Sequence, residues 1–338
     1  MEDNSVSIDN EKKGYEPCRG FLKGSELVED ELGEIYRYTL QGTDATIYWG
    51  TAITSFPSFA YMVPLKILAR LSEKINVIIL LADLHGILDG TPTHQVNERM
   101  FQYHTVISLM LISLGANMSN VKFVNGSSFQ KSERYITDLF RLTNICSINR
   151  ARHASSEVVK KGEKGEEKMS STLYPLMQVL DEIHLGVQIE LGGVDQRKIF
   201  MLSRELLPKI GHAKTCYILN PLLPSLSGKG KMSSSDPKSK INMYDTREEI
   251  SPKIMKCFTP DIPKDLEGVS NKVDFVTQLD MKIVLLKWCD ILDIDSTKYK
   301  TGHETPQQFK TKIINHIDSM VEPVRKAIVK EDILKTFQ

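Results

Sequence analysis

The chain has 338 residues, enough for two domains, and its 41% hydrophobic and 25% charged residues describe an ordinary soluble globular protein. Basic and acidic residues balance at 43 each, so there is no global positive field of the kind that advertises nucleic acid, and such binding would rest on local patches. Five scattered cysteines without a Cys-x-x-Cys pair, no signal or transit pattern and no membrane-length apolar run argue against a structural zinc site or a membrane protein and predict a cytoplasmic one.

Residues 1–15 are polar and charged with almost nothing to bury, and read as a disordered lead-in. From Gly24 to Leu40 the apolar spacing predicts a helix or two. Ile47 to Ala52 reads as a short strand running into a loop, and Pro57 to Leu71 has helical spacing with proline near its start. The unbroken apolar run Val77–Ala82 ends abruptly in Asp83-Leu84-His85-Gly86, as a strand buried on both faces of a parallel sheet does. A helical region follows to Gly115, then a strand at Val121–Val124, and further helices to Arg150. Lys160–Lys168 is a charged, glycine-broken connection. A helix from Leu173 to about His184, a strand at Val187–Leu191 stopped by Gly192-Gly193, and a strand at Cys216–Leu219 complete the alternation. The pattern predicts an α/β fold with a doubly wound parallel sheet. Beyond Ile241 strand candidates disappear and helical spacing dominates, notably in Phe275–Leu292 and Phe309–Ile328.

Four groups of residues carry candidate chemistry. Gly228-Lys229-Gly230-Lys231-Met232-Ser233-Ser234-Ser235-Asp236 sets two lysines between glycines and follows them with three hydroxyls. Such a loop can wrap a polyphosphate with point charges and hydrogen-bond donors, and its composition also suits a solvated surface loop. Tyr174, Gln178 and Asp181 stand at i, i+4 and i+7, one stripe of a helix among Leu176, Met177 and Leu180. An acid in that setting needs a partner, whether the phenol hydroxyl of a ligand or a structural Arg or Ser. In Gly192-Gly193-Val194-Asp195-Gln196-Arg197-Lys198, Asp195 can accept from sugar hydroxyls or act as a helix N-cap, and the Gln196 amide oxygen can hold an amine. Tyr48, Gly50 and Pro57–Tyr61 form a strand–loop–helix sequence of the kind that binds phosphate at a helix N-terminus. The Rossmann glycine fingerprint and the Walker loop are both missing.

Together these residues carry a resemblance. Lys231-Met232-Ser233-Ser234-Ser235 resembles the Lys-Met-Ser-Lys-Ser signature of class I aminoacyl-tRNA synthetases. Tyr48, the Tyr174/Gln178/Asp181 stripe, residues 192–198 and Ala82-Asp83-Leu84-His85 resemble the tyrosyl enzymes of eukaryotic and archaeal type over roughly residues 30–260. The resemblance implies a Rossmann-like catalytic domain over 16–245 with a dimerisation insertion near 125–165, and an all-α anticodon-binding domain over 246–338. It implies a homodimer acting on L-tyrosine, ATP with Mg2+, and tRNA(Tyr), with no tightly bound cofactor, no protein-bound metal and no membrane. By the same resemblance Tyr48 and Asp181 would bind the phenol hydroxyl, and Tyr174, Gln178 and Gln196 the α-amino group. Gly193 and Asp195 would sit at the ATP ribose, and Lys231 with Met232, Ser233, Ser234 and Ser235 at the phosphates. A tryptophanyl enzyme, or a synthetase-derived RNA-binding or regulatory protein, are the alternatives.

Two departures from the family pattern stand out. The second family signature, His-Ile-Gly-His or His-x-Ala-Tyr, reads Ser58-Phe59-Ala60-Tyr61 here. Ser58 can donate one hydrogen bond to ATP but carries no charge, which predicts slower adenylate formation, with Tyr61 alongside it. The anticodon-reading His-Pro-x-Asp-Leu-Lys is matched only by Thr305-Pro306-Gln307-Gln308-Phe309-Lys310. Gln308 is then the candidate for a guanine edge and Lys310 for a phosphate. Trp288 either stacks a base or packs in the core.

Overall fold

The computed structural model describes residues 25–27, 34–35, 37–38, 45–159, 168–228, 230–232, 240–262 and 282–330. The polar lead-in at 1–15, most of the charged connection at 160–168, and Ser233, Ser234 and Ser235 lie outside the described residues. By its internal contacts the chain divides into two units. The first comprises Met1–Thr54, Pro64–Thr105 and Leu114–Pro221; the second comprises Ser55–Val63, Val106–Ser113 and Leu222–Gln338.

A six-stranded sheet organises the first unit. The apolar run at its centre forms β3 (Asn76–Ala82), flanked in parallel register by β2 (Thr46–Ala52) and β4 (Val121–Asn125). With strands on both sides and helices on both faces, β3 has little use for polar side chains, and Val77, Ile79, Leu80 and Leu81 are all buried. Strand β5 (Ile189–Gly193) pairs with β2, and β6 (Cys216–Asn220) with β5, again in parallel. The spatial order is β1-β6-β5-β2-β3-β4. The chain therefore steps outward from β2 through β3 to β4, then returns to build β5 and β6 on the other side. Its direction of winding changes between β2 and β5, the doubly wound arrangement that the alternation of elements predicts.

Three boundaries differ from expectation. Glu26–Leu27, within the stretch expected to be helical, form β1, an antiparallel edge strand on Leu219 and Ile218. Gly192 and Gly193 do not stop β5 but complete it, opposite Leu219 and Asn220. The helix expected from Pro57 begins later: Phe59–Tyr61 make a single 3-10 turn before α1 (Met62–Leu71).

Around the sheet run α2 (Asp83–Leu88), α3 (Thr93–Ser113), α4 (Ser127–Gln130), α5 (Glu133–Ile145), α6 (Ile148–Ser155), α7 (Ser170–Leu185) and α8 (Arg197–Leu206). Helices α5 to α8 share one apolar cluster containing Tyr135, Leu142, Ala154, Leu180, Ile199 and Leu206. Each fully buried leucine or isoleucine contributes about 1.5–3 kcal/mol. That packing fixes α7, which carries the Tyr174/Gln178/Asp181 stripe.

Among its described residues the second unit is mainly helical. Helix α9 (Arg247–Met255) starts at a capping box in which Thr246 and Glu249 satisfy each other's backbone N–H, worth about 1 kcal/mol. Helices α10 (Val284–Leu292), α11 (Thr297–Lys300) and α12 (Pro306–Lys330) follow. Phe309, Ile313, Ile317, Val321, Val324 and Ile328 recur every three or four residues along α12 and are all buried. Tyr299 stacks on Phe309 with ring centroids 4.1 Å apart. No helix among the described residues is long and apolar enough to cross a membrane.

Candidate active site

Where the winding changes direction, a cavity opens beside the carboxyl ends of β2 and β5. Open α/β sheets bind their ligands at such a point. Strand β2 lines it with Tyr48, Gly50 and Ala52, alternate residues that the period of two puts on one face. Strand β5 adds Glu190 and Gly192, and α7 adds Tyr174, Gln178 and Asp181. His85 and Gln196 complete the polar wall. All five residues expected to hold an amino-acid substrate (Tyr48, Tyr174, Gln178, Asp181 and Gln196) thus line one cavity. Gly192 is required there by packing: a Cβ at that position would lie 2.5 Å from Cζ of Phe200, whose ring stacks on Tyr217 beneath β5.

Asp181 is 1% exposed. Its Oδ1 accepts from Gln130 Nε2 at 2.8 Å and from the Tyr135 hydroxyl at 2.9 Å. Its Oδ2 lies 4.0 Å from His85 Nε2. Burial outweighs those two hydrogen bonds and pushes the carboxyl up to about 8, which favours its protonated form at neutral pH. Burial also holds His85 down at about 4, so this imidazole is neutral, packed edge-on against the Tyr174 ring at 4.6 Å. The buried Tyr48 hydroxyl makes no hydrogen bond of good geometry, although Glu190 lies within its reach. A neutral carboxyl beside an unpartnered phenol suits a ligand hydroxyl that can both donate and accept.

Gln178 Nε2 donates to Glu190 Oε1 at 2.9 Å and to Gln196 Oε1. Glu190 and Glu182 are both buried and lie within hydrogen-bonding reach of each other. Glu182 in turn accepts from the Tyr217 hydroxyl at 2.8 Å, and that hydroxyl also bonds Ser203 Oγ at 2.8 Å. Burial raises both carboxyls, Glu190 further because Glu182 is beside it. Sequence reasoning missed Glu182 and Glu190, although an acid inside the apolar run Ile189–Leu191 was a signal. Gln130 and Tyr135 left no comparable trace, since only the tertiary fold brings α4 and α5 to α7.

The remaining expected residues fall elsewhere. Gly193 ends β5 and Asp195 sits in the 3-10 turn Val194–Gln196 that follows it. In the second unit, Ser58 precedes the Phe59–Tyr61 turn and bridges to Asn242, its side chain making no capping bond. The glycine–lysine loop is less free than its composition suggests. Pro224 pairs with Lys231, Ser225 N–H donates to the Gly230 carbonyl and Met232 N–H to the Leu223 carbonyl. Met232 is buried, Lys231 is exposed, and Gly228 and Gly230 take φ of 75° and 68°, which favour glycine. Three tethered side chains, one of them buried, alter the reading of the C-terminal residues. Trp288 is 0% exposed, donates Nε1 to the Pro224 carbonyl at 2.9 Å and stacks on Phe59, so it is a core residue and not a base-stacking platform. Gln308 is exposed, but its Oε1 accepts from Thr305 N at 3.0 Å at the start of α12. Lys310 Nζ donates to the Met255 carbonyl at 2.8 Å.

Comparison with known proteins agrees with this geometry. The family model for class I tRNA synthetases of the tryptophan and tyrosine type matches residues 40–322. A probable cytoplasmic tyrosine–tRNA ligase of Encephalitozoon cuniculi is 39% identical over 318 residues, covering 90% of this chain and 92% of its own. That of Enterocytozoon bieneusi is 36% identical over 337 residues, covering 93% and 95%. The crystal structure of the Archaeoglobus fulgidus tyrosyl-tRNA synthetase complexed with L-tyrosine is 28% identical, with a TM-score of 0.73, covering 94% of this chain and 98% of that one. With the family model spanning most of its length and these relatives matched almost end to end, the chain belongs to the tyrosine–tRNA ligases of the class I synthetase family.

Proposed function

We propose that the cavity between β2, β5 and α7 is where this tyrosine–tRNA ligase holds L-tyrosine. On this reading the chain activates tyrosine with ATP and transfers it to tRNA(Tyr) in the cytoplasm, in keeping with relatives named probable cytoplasmic tyrosine–tRNA ligases. The observation that carries the site assignment is the convergence of Tyr48, Tyr174, Gln178, Asp181 and Gln196 on one buried polar cavity. The substrate phenol hydroxyl would meet Asp181 and Tyr48, whose buried polar atoms stay unpaired when the hydroxyl is missing. Tyr174, Gln178 and Gln196 would take the ammonium group.

The chemistry needs little proton transfer. The tyrosine carboxylate, already ionised, attacks the α-phosphorus of ATP, and pyrophosphate leaves with the bonding electron pair. Positioning and stabilisation of phosphate charge supply the catalysis. Gly193 and Asp195 would hold the ribose. Lys231, with Met232 placing it and Ser233, Ser234 and Ser235 following, would neutralise the phosphates together with Mg2+. Ser58 and Tyr61 would add neutral hydrogen bonds to ATP. Gln308 and, less directly, Lys310 would meet the tRNA anticodon from the C-terminal helical domain. Exposed Phe140 and Ile148, 67% and 60% accessible on α5 and α6, support a homodimer face within residues 125–165.

Amino-acid-dependent ATP–pyrophosphate exchange tests the reading. Exchange with tyrosine and not with tryptophan is the expected result. Exchange driven by tryptophan would overturn it. No exchange with either would favour a catalytically weakened binding protein, the reading to which Ser58 alone lends weight.

A further inference from the structure

Strand register sets a row of side chains beneath the cavity that the tyrosine reading does not use. Tyr48 on β2 is opposite Glu190 on β5, and Glu190 is opposite Tyr217 on β6. Directly paired residues of parallel strands project to the same face, here the face covered by α7. Helix α7 meets that row with Gln178 above Glu190 and Glu182 against Tyr217.

The donors in this row are unevenly shared: Gln178 and Tyr48 lie within reach of Glu190, and Tyr217, Ser203 and Thr215 within reach of Glu182. Gln178 gives Nε2 to Glu190 and Gln196, which leaves its oxygen as the free end of the amide. Glu190 Oε1 accepts that bond, while Glu190 Oε2 and Glu182 Oε1 are both buried without a conventional partner. Two carboxylates facing each other would repel; a carboxyl and a carboxylate share a proton and satisfy both oxygens. Glu182 has more neutral donors around it, in Tyr217, Ser203 and Thr215, than Glu190 has in Gln178 and Tyr48, so Glu182 is the better carboxylate and Glu190 is the member that keeps the proton. The groups facing this pair are Tyr48 from β2, Gln178 from α7, Ser203 from α8, and Thr215 and Tyr217 at β6, none of them a cation.

We propose that Glu190 is a positioning residue for the amino end of the substrate. As a neutral carboxyl it donates to Glu182, accepts from Gln178, and so turns the Gln178 oxygen toward the ammonium group that the cavity receives. Without this partner the amide is held only by Gln196, whose own amide can turn with it, so the orientation that points the Gln178 NH2 group at the ammonium becomes accessible. The inference rests on the cavity being the tyrosine site.

Glutamine at position 190 would reproduce the neutral carboxyl, donor toward Glu182 and acceptor toward Gln178, whereas leucine keeps only the volume. The experiment compares Glu190→Leu and Glu190→Gln with wild type by pyrophosphate exchange. It also measures inhibition by 3-(4-hydroxyphenyl)propionate, which has the phenol but no amine, and the urea midpoint of each protein. Glu190→Leu is expected to raise KM for tyrosine about 10- to 100-fold with kcat changed less than about threefold, while inhibition by the amine-free analogue stays near wild type. Glu190→Gln recovers most of the lost KM. Equal losses in both variants would overturn the proposal, because they would mean that an ionised Glu190 touches the ammonium itself. A parallel loss of analogue binding would overturn it too, by showing general collapse of the cavity. Should wild type neither exchange nor bind tyrosine, the site reading fails, and that outcome is separate from any difference between the variants.

Discussion

Substitution of Asp181 by asparagine is the sharpest perturbation of the phenol end of the cavity, because it keeps the shape and removes the acid. The asparagine Oδ1 can still accept from Gln130 and Tyr135, as Asp181 Oδ1 does at 2.8 and 2.9 Å. What changes is the atom at the position of Oδ2, a carboxyl oxygen that can both donate to and accept from the tyrosine hydroxyl, which becomes an NH2 group that can only donate. Leaving the buried phenol proton without a hydrogen bond to its acceptor costs about 1–3 kcal/mol, or roughly 5- to 150-fold in kcat/KM at about 1.4 kcal/mol per factor of ten. Phenylalanine makes no such bond, so its kcat/KM should move less than about threefold and the preference for tyrosine should fall by nearly the whole factor. Pyrophosphate exchange with each amino acid reads both numbers. The same variant carries a stability signature. Asp181 titrates near 8 in the folded protein against 3.8 for the ordinary group, so the folded chain keeps a proton that the unfolded chain gives up. That stabilisation is complete below pH about 4 and is lost as pH rises through about 8, at a slope of at most about 1.4 kcal/mol per pH unit. The Asp181→Asn variant has no such loss, and urea unfolding should show it gaining on wild type from pH 5 to 8. Tyrosine kcat/KM within threefold of wild type, with discrimination intact, would refute the role assigned to Asp181. Parallel stability curves would refute the burial argument behind its raised affinity for a proton.

Other residues make separate claims. Lys231→Ala should abolish pyrophosphate exchange while tyrosine affinity, measured by calorimetry, stays within about threefold; substantial residual turnover would mean that the phosphate charge is met elsewhere. Ser58→His should speed adenylate formation in single-turnover kinetics, and an unchanged rate would show that the serine is not limiting. Trp288→Ala should lower unfolding free energy by about 3–5 kcal/mol, as loss of a fully buried indole does. If the urea midpoint holds and only tRNA charging suffers, the core assignment of Trp288 is wrong.

Much of the fold was legible because parallel sheets write themselves in apolar runs. Val77–Ala82 could hardly be anything but a central strand, and its abrupt polar end marked the ligand-binding side of the sheet. The stripe at 174, 178 and 181 was legible for the same kind of reason, a helical period with the wrong polarity for a core. Edge strand β1 was not, since two residues paired at a sheet margin leave no periodic pattern. Gly192-Gly193 looked like a strand terminator, and only the Phe200 ring packed against Gly192 explains why glycine belongs inside β5. Trp288 illustrates the converse limit. An aromatic on a helix can face solvent or core, and its spacing alone does not say that Pro224 and Phe59 wait to receive it. The partners of Asp181 were the least legible part. Gln130 and Tyr135 are some fifty residues away in sequence, and their meeting with α7 depends on how α4 and α5 fold back.

The central claim is the orientation of tyrosine in the cavity, and a crystal structure of the protein with L-tyrosine tests it most directly. The account predicts the phenol oxygen within hydrogen-bond distance of Asp181 and the Tyr48 hydroxyl, with the ammonium nitrogen against Gln178 Oε1. A tyrosine found with its ammonium group at Asp181, or bound outside the Tyr48–Gln178–Asp181 cavity, would contradict it.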